Sequence, residues 1–303
     1  MIKHFITLLL LIFSLSSNAQ AWKTVRHEAY FGLGASNFLG DLGGAKGIGT
    51  HGIKDLKIRM TRPTVMVGYK YMLNQYLSVK GSLIWGLLNG DDAVTKNEIR
   101  NNRNLSFRSN IGEAAAYIEY FPYGDKVYPR YKLKGVRGNK AFSLSPYLFT
   151  GIGVTLFNPK ANYNGDWVAL QPLATEGQGL AGRPEKYKRV TMSFPIGAGV
   201  KYRISKQLAL SFELSLRYTL TDYIDDVSTS YYLPDEIEAN TGAIAAELSD
   251  RSINPAINGV IEYGDGRNNY LQRGDPRWND AYMFGIFSIH YRFVKGQTFI
   301  PKF

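Results

Sequence analysis

The clearest period in the chain runs over 207–221. Leu208, Leu210, Phe212, Leu214, Leu216, Tyr218 and Leu220 alternate with Ala209, Ser211, Glu213, Ser215, Arg217, Thr219 and Thr221. Side chains of a strand point to opposite faces in turn, so one face is wholly apolar and the other small or polar. An apolar face of this length, backed by Glu and Arg, fits a strand crossing a bilayer at a tilt better than a half-buried soluble strand. The same alternation recurs over 28–36, 63–71, 76–88, 108–121, 145–157, 188–203 and 281–293. Eight such strands, joined mostly by alternating short and long connections, predict an all-β fold: an eight-stranded antiparallel transmembrane β-barrel with long extracellular loops. A soluble up-and-down barrel or sandwich has the same period. Aromatic residues at the strand ends and the N-terminal segment described below point to the membrane instead.

The faces opposite the apolar ones carry Glu28, Lys70, Lys80, Glu113, Glu119, Lys201, Arg203, Glu213, Arg217, His290 and Arg292. An eight-stranded barrel is only wide enough for its own side chains. Charges of both signs inside it should pair, so the expected interior is a solid ion network and no pore.

Two connections stand out. The one over 123–142 falls where a short periplasmic turn is expected, yet it is long and holds Lys126, Arg130, Lys132, Lys134, Arg137 and Lys140. It is read as a docking loop for an acidic periplasmic partner, with a turn that binds lipid headgroups as the alternative. The segment over 222–279 is the longest, and 235–248 within it is compatible with one or two short helices. The remaining long connections, over 38–61, 89–104 and 158–186, are read as outer loops.

Composition sets the address. Residues 5–15 are apolar and follow Lys3; small residues stand near 19–21, which is the layout of a secretory signal peptide. The expected organisation is a signal peptide over 1–21 and a barrel domain over 22–303. With no Cys among 303 residues, there is neither a disulfide framework nor a lipid-attachable Cys. The net charge of +11 is scattered along the chain, which argues against nucleic acid and for anionic lipid or an acidic protein surface.

Candidate chemistry is sparse. The glycines at 32, 34 and 40 resemble a nucleotide loop only loosely, because no helix start follows them. Ser288 and His290 share the inner face of the last strand, as a hydrolytic set would, but near its periplasmic end; a hydrogen-bonded interior His is the expectation. Asp225-Asp226 and Gly264-Asp265-Gly266 lack the spacing of a calcium loop and are read as solvated loop charges. His27 and His51 show no ligand spacing. The sequence therefore predicts no enzyme, no cofactor and no metal.

Several segments resemble the PorG-like outer-membrane proteins of type IX secretion systems. They are Phe31-Gly-Leu-Gly-Ala-Ser-Asn-Phe-Leu-Gly-Asp-Leu-Gly-Gly, Ser145-Pro-Tyr-Leu-Phe-Thr-Gly-Ile-Gly, Phe157-Asn-Pro-Lys-Ala and Leu170-Gln-Pro-Leu-Ala-Thr-Glu-Gly-Gln. Leu216-Arg-Tyr-Thr-Leu-Thr-Asp-Tyr-Ile-Asp-Asp-Val-Ser, Arg273-Gly-Asp-Pro and 282–293 complete the series. Thr-Glu-Gly-Gln and Thr-Asp-Tyr-Ile-Asp-Asp-Val-Ser are the specific ones. The resemblance implies a non-catalytic barrel of the bacterial outer membrane, surrounded by lipid and associated with a periplasmic ring of the secretion machine, which it anchors or positions. A lipid-modifying enzyme and an adhesin-type barrel are the alternatives.

Overall fold

The computed structural model describes residues 26–42, 60–95, 97–125, 144–205, 207–262 and 268–293. The expected signal segment over 1–21, the basic residues Lys126, Arg130, Lys132, Lys134, Arg137 and Lys140, and also His51 and Asp265, lie outside them. In chain order the strands are β1 (His27–Leu39), β2 (Arg62–Met72), β3 (Leu77–Asp91), β4 (Ser106–Tyr120), β5 (Leu144–Tyr163) and the short β6 (Asp166–Ala169). They continue with β7 (Val190–Arg203), β8 (Leu208–Thr219), the short β9 (Val260–Glu262) and β10 (Asn268–Tyr270), and β11 (Ala281–Phe293). Eight of these form one closed ring, β1-β2-β3-β4-β5-β7-β8-β11, in which all neighbours run antiparallel. β1 seals against β11 from His27↔Phe293 to Leu39↔Ala281 without a break in register.

The barrel is inside out relative to a soluble protein. Leu33, Val67, Leu83, Ile118, Ile152, Ile196, Leu214 and Phe287, one from each long strand, are exposed on the outside. An apolar belt that passes right round a protein exceeds the patch a soluble monomer leaves open, and a bilayer covers it. Tyr69, Tyr120, Tyr202 and Tyr291 stand near one rim, with Trp85, Phe194 and Tyr218 toward the other. These are the interfacial girdles of a transmembrane barrel. The short β2–β3 and β7–β8 turns mark the periplasmic rim. No described helix is long and apolar enough to span a membrane; the strands do so, and the protein is a bacterial outer-membrane barrel.

Inside, among the described residues, most ion pairs lie toward the periplasmic end, and the outer half is mainly apolar around the single pair Arg217–Glu113. Phe38, Met66, Ile84, Phe107, Ile111, Phe157 and Phe284 fill the outer half, and Leu42, Leu170, Ile224, Val227 and Leu248 carry that core into a cap built from the outer loops. Aromatic rings lie along the inner wall where the directly opposed residue of the neighbouring strand is glycine. A Cβ on Gly68 would stand 2.2 Å from the Tyr30 hydroxyl, and one on Gly199 2.5 Å from the Tyr147 ring.

Two expected loops are more regular than the hydrophobic pattern implied. β5 does not end at 157 but runs to Tyr163 and turns back as β6. Asn164 and Gly165 take φ of 51° and 99°, the pair of positive values that a two-residue hairpin requires and Asn-Gly supplies. The stretch over 89–104 completes β3 and then forms α1 (Glu98–Arg103). Asn97 caps it by accepting from Arg100 N, and Asn104 ends it at φ 53°. The helical expectation over 235–248 corresponds to α2 (Pro234–Thr241) and α3 (Ala243–Ser249). Pro234 presets the first turn of α2, and Gly242 at φ 99° breaks the two helices apart.

Candidate functional site

Among the described residues, buried charge gathers in two clusters, one in the lumen and one in the cap. All eleven charged residues named from the inner faces project into the lumen, and strand register brings them together. β1 sets Glu28 opposite Arg292 on one side and Lys70 on the other. Lys201 Nζ reaches the Glu28 carboxylate, and Arg292 lies 3.1 Å from it. Lys70 and Lys80 face each other across β2 and β3, and Glu119 sits between them at 2.5 and 3.1 Å. Lys80 also meets Glu213 at 2.8 Å. Farther out, Arg217 Nε lies 3.3 Å from Glu113, which also accepts from the Tyr282 hydroxyl at 2.7 Å. Arg203 closes the periplasmic end by pairing with Asp125.

Asp125 is the member that the inner-face pattern misses, because it belongs to no strand. The connection after β4 folds back so that Asp125 plugs the periplasmic mouth, where Arg292 donates to it at 2.7 Å. Burial alone would raise its pKa, but Lys201, Arg292 and Arg203 outweigh that and hold the carboxyl well below the usual range. Also absent from the pattern reading are the tyrosine hydroxyls that complete the network. Tyr147 donates to Glu213 at 2.7 Å and Tyr117 to Glu113 at 3.2 Å.

His290 does not work with Ser288. Its Nε2 lies 2.7 Å from Ser211 Oγ on β8, its Nδ1 lies 2.6 Å from Glu28 Oε1, and its ring stacks on Tyr30. Register explains the exchange: Ser288 is directly opposite Ser211, and His290 reaches Ser211 on the diagonal. The Ser288 hydroxyl has no hydrogen-bond partner. His27, at the periplasmic start of β1, is exposed beside Tyr69 and takes no part in this set.

In the cap, the reading of Asp225 and Asp226 as solvated loop charges fails. They are 1% and 0% exposed, because the loop over 220–232 tucks under the segment over 170–189. Asp226 accepts from Thr175 and Tyr187, each at 2.5 Å, and lies 4.0 Å from Arg273. Glu176 pairs with Arg273 at 3.1 Å and accepts from the backbone of Ser228 and Thr229 at 2.9 and 3.0 Å. Arg103, on α1, pairs with Asp92 and donates to the backbone carbonyl of Asp41 at 2.9 Å. The Asp41 carboxylate in turn accepts from Asp275 N at 2.7 Å. One junction therefore joins the Gly40-Asp41-Leu42, Thr175-Glu-Gly-Gln, Asp225-Asp-Val-Ser and Arg273-Gly-Asp-Pro segments.

The junction is electrostatically uneven. Burial, and after it the Asp41 carboxylate, pushes Asp222 up to about 10. Burial and neighbouring aspartates raise Asp225 and Asp280 well above the carboxylate range. Asp226 is raised less, to about 6, since Arg273 and the two hydroxyl donors offset its burial. As the side chains stand, no three His, Asp or Glu groups among the described residues converge as a metal site.

A family model described as Domain of unknown function (DUF6089) matches residues 2–232. No curated protein matches the chain in sequence. Among solved structures, the chain is similar to Ail, the attachment invasion locus protein of Yersinia pestis, at 11% identity, a TM-score of 0.35, and coverage of 88% of this chain and 99% of that one. For neisserial surface protein A the values are 8%, 0.38, 88% and 96%. For OprG of Pseudomonas aeruginosa they are 10%, 0.34, 90% and 98%. At such scores the closed strand ring and the apolar exterior of this chain carry the fold assignment by themselves.

Proposed function

The chain belongs to the family described as Domain of unknown function (DUF6089), and on that premise we propose that it is a non-catalytic outer-membrane component of the type IX protein secretion machinery. Its role would be that of the PorG-like barrels it resembles: to anchor or position the periplasmic ring. The observation that carries this reading is the cap junction. Segments far apart in the chain, on which the resemblance rests, are joined there through Asp41, Glu176, Asp226 and Arg273. The resemblance thus concerns a built element and not only strand repeats that many small barrels share. A lumen filled by paired charges and aromatic rings supports a scaffold over a conduit. Under this reading the partners are membrane lipids and ring proteins, and no cofactor is needed.

The test is a gentle-detergent pull-down of the tagged full-length protein, alongside secretion of a cargo reporter in a deletion strain. Ring proteins in the eluate and loss of secretion are expected. Intact secretion with no envelope partner would overturn the proposal and leave an adhesin-type barrel.

A lipid-modifying enzyme is the second reading, favoured by the chain Ser211–His290–Glu28, which has the connectivity of a nucleophile, base and orienting carboxylate. Against it, the three residues are 4%, 2% and 1% exposed, and Glu28 is shared with Lys201 and Arg292. Labelling by a fluorophosphonate probe that disappears in Ser211→Ala would establish the enzyme; no labelling of the folded protein would remove it.

A further inference from the structure

On the outer wall of the barrel, two basic side chains stand directly opposite each other. Arg108 of β4 pairs in register with Lys160 of β5, and both lie on the face turned away from the lumen. Like charges directly opposite across an antiparallel pair repel, because their Cβ atoms are only about 5 Å apart. Among the described residues, no carboxylate comes within ion-pair distance of either. Asp91, diagonal to Arg108, accepts from Ala93 N instead. Arg189 brings a third cation to the same side of the ring, donating to Asn158 Oδ1 at 3.3 Å. The Arg108 guanidinium lies 5.5 Å from the centre of the half-exposed Trp167 ring.

The cluster stands at headgroup height. From Tyr120, in the periplasmic girdle, β4 climbs to Arg108 by about 30 Å along the membrane normal, at roughly 3.3 Å per residue and a tilt of about 40°. The apolar band of such a barrel is about 25 Å tall, so the cations clear it by about one headgroup layer. Below them, on the same side of the ring, the wall is hollow. The small residues Gly81, Ala114 and Ala116 face a groove of about 640 Å³ that Leu83, Ile152 and Val154 also line. A Cβ on Gly81 would meet nothing within 4 Å. Register sets Leu83, Ala114 and Val154 in one row across β3, β4 and β5. Above that row the outward face passes through Gly112 and Leu156, then the Asn110–Asn158 pair, to Arg108 and Lys160.

We propose that Arg108, Lys160 and Arg189 bind the phosphates of an anionic lipid of the outer leaflet, one acyl chain of which lies in the groove below. An anion between Arg108 and Lys160 replaces their repulsion with charge-assisted hydrogen bonds, and the guanidinium fork matches phosphate geometry. Position selects the source of that phosphate. A free ion meets the cations alone, whereas a lipid headgroup is already held at this height, with its chain against the apolar wall. The chemistry of the ligand follows from the site. It carries more than one phosphate if all three cations are engaged, and a chain long enough to reach Ala114. The inference rests on the outer-membrane fold and not on a role in secretion.

The experiment is native mass spectrometry of the full-length protein in detergent, titrated with bisphosphorylated lipid A and with the same lipid stripped of phosphate. A saturable one-to-one adduct is expected with the first, and at least about tenfold weaker binding of the second. Arg108→Gln combined with Lys160→Gln should weaken the adduct by at least about tenfold. Lys186→Gln combined with Arg277→Gln, an equal change of charge outside the cluster, should leave it intact. Ala114→Phe, which fills the groove, should weaken it by a smaller factor, and inorganic phosphate should not displace the lipid. Far-UV circular dichroism verifies that each variant is a folded barrel before titration. Binding that ignores the phosphates, or that falls equally in the two charge variants or in neither, overturns the site. Displacement by inorganic phosphate overturns the lipid as its source, and an unchanged affinity in Ala114→Phe overturns the seating of the chain.

Discussion

The lumen and the cap bury the same kinds of side chain and settle their charge in opposite ways. In the lumen each carboxylate meets a cation: Glu28 with Lys201 and Arg292, Glu119 with Lys70 and Lys80, Glu213 with Lys80, Glu113 with Arg217. In the cap, Asp222, Asp225 and Asp280 have each other and Asp41 as their strongest charged neighbours. The difference follows from geometry. Strand register fixes lumen side chains at fixed heights, so complementary charges can be laid opposite one another. Loops converge from several directions, and there backbone amides of Leu42, Val227 and Ile224 take over part of the cations' role. A network of such interlocked pairs serves as a rigid plug, whereas Asp225 and Asp280 in the cap depend on burial and on backbone donors.

The largest effect should come from unbalancing the lumen. Arg217→Met leaves Glu113 buried and unpaired, and should cost about 3–5 kcal/mol in urea unfolding of the reconstituted barrel. Combining it with Glu113→Leu should recover much of that loss; a double variant no better than the single one would show that the pair is not a unit. Next in size, Arg273→Ala strands Glu176 and Asp226 in the cap, at a cost of about 3 kcal/mol. That loss should appear as faster hydrogen exchange over 170–232 while the strands keep their protection. Equal loosening of strands and cap would mean that the two regions are one cooperative unit.

A smaller effect is expected from pH, confined to the cap. Asp222 is raised to about 10 and Asp226 to about 6 in the folded protein, while the unfolded chain releases these protons at about pH 4. The folded cap therefore holds protons the unfolded chain has lost. Its stabilisation from these groups is complete below about pH 4 and declines as the pH rises, through about 6 for Asp226 and toward 10 for Asp222. Limited proteolysis should cut the outer loops faster at pH 9 than at pH 5, after correction for protease activity. Slower cutting at pH 9 would contradict the assignment. Smallest of all, Gly165→Ala touches no charge: at φ 99° it should cost about 1 kcal/mol, seen only as fraying of the β5–β6 hairpin in hydrogen exchange.

The barrel was legible because its signal is local. Period two over β8 and β11 sorts Glu213, Arg217, His290 and Arg292 from the apolar face without reference to any other strand. The bounds of β11 coincide with the alternation over 281–293. The β5–β6 hairpin was legible too, had the Asn164-Gly165 turn been read as one, but the hydrophobic run stops at 157 and the strand does not. What a chain scan cannot supply is which residues meet across strands and loops. Ser211 becomes the neighbour of His290 only through the β8–β11 register. Asp226 is buried only because Thr175, Tyr187 and Arg273, up to 51 positions away, close over it. The loop motifs that the resemblance singled out were visible as words; their convergence was not.

The seam between β1 and β11 has a consequence in time. Every backbone group of the first strand that faces β11 waits for residues near 290, so no shorter stretch of the chain can close the ring. Until the last strand arrives, β1 and β8 carry open edges along their whole length, and such edges pair readily with other chains. Closure is also a pairing of extreme sequence separation, the slowest kind to form. The polypeptide must therefore cross the periplasm with its sticky flanks shielded by something other than itself, and removing the segment over 281–293 should yield aggregate in that compartment instead of a smaller barrel.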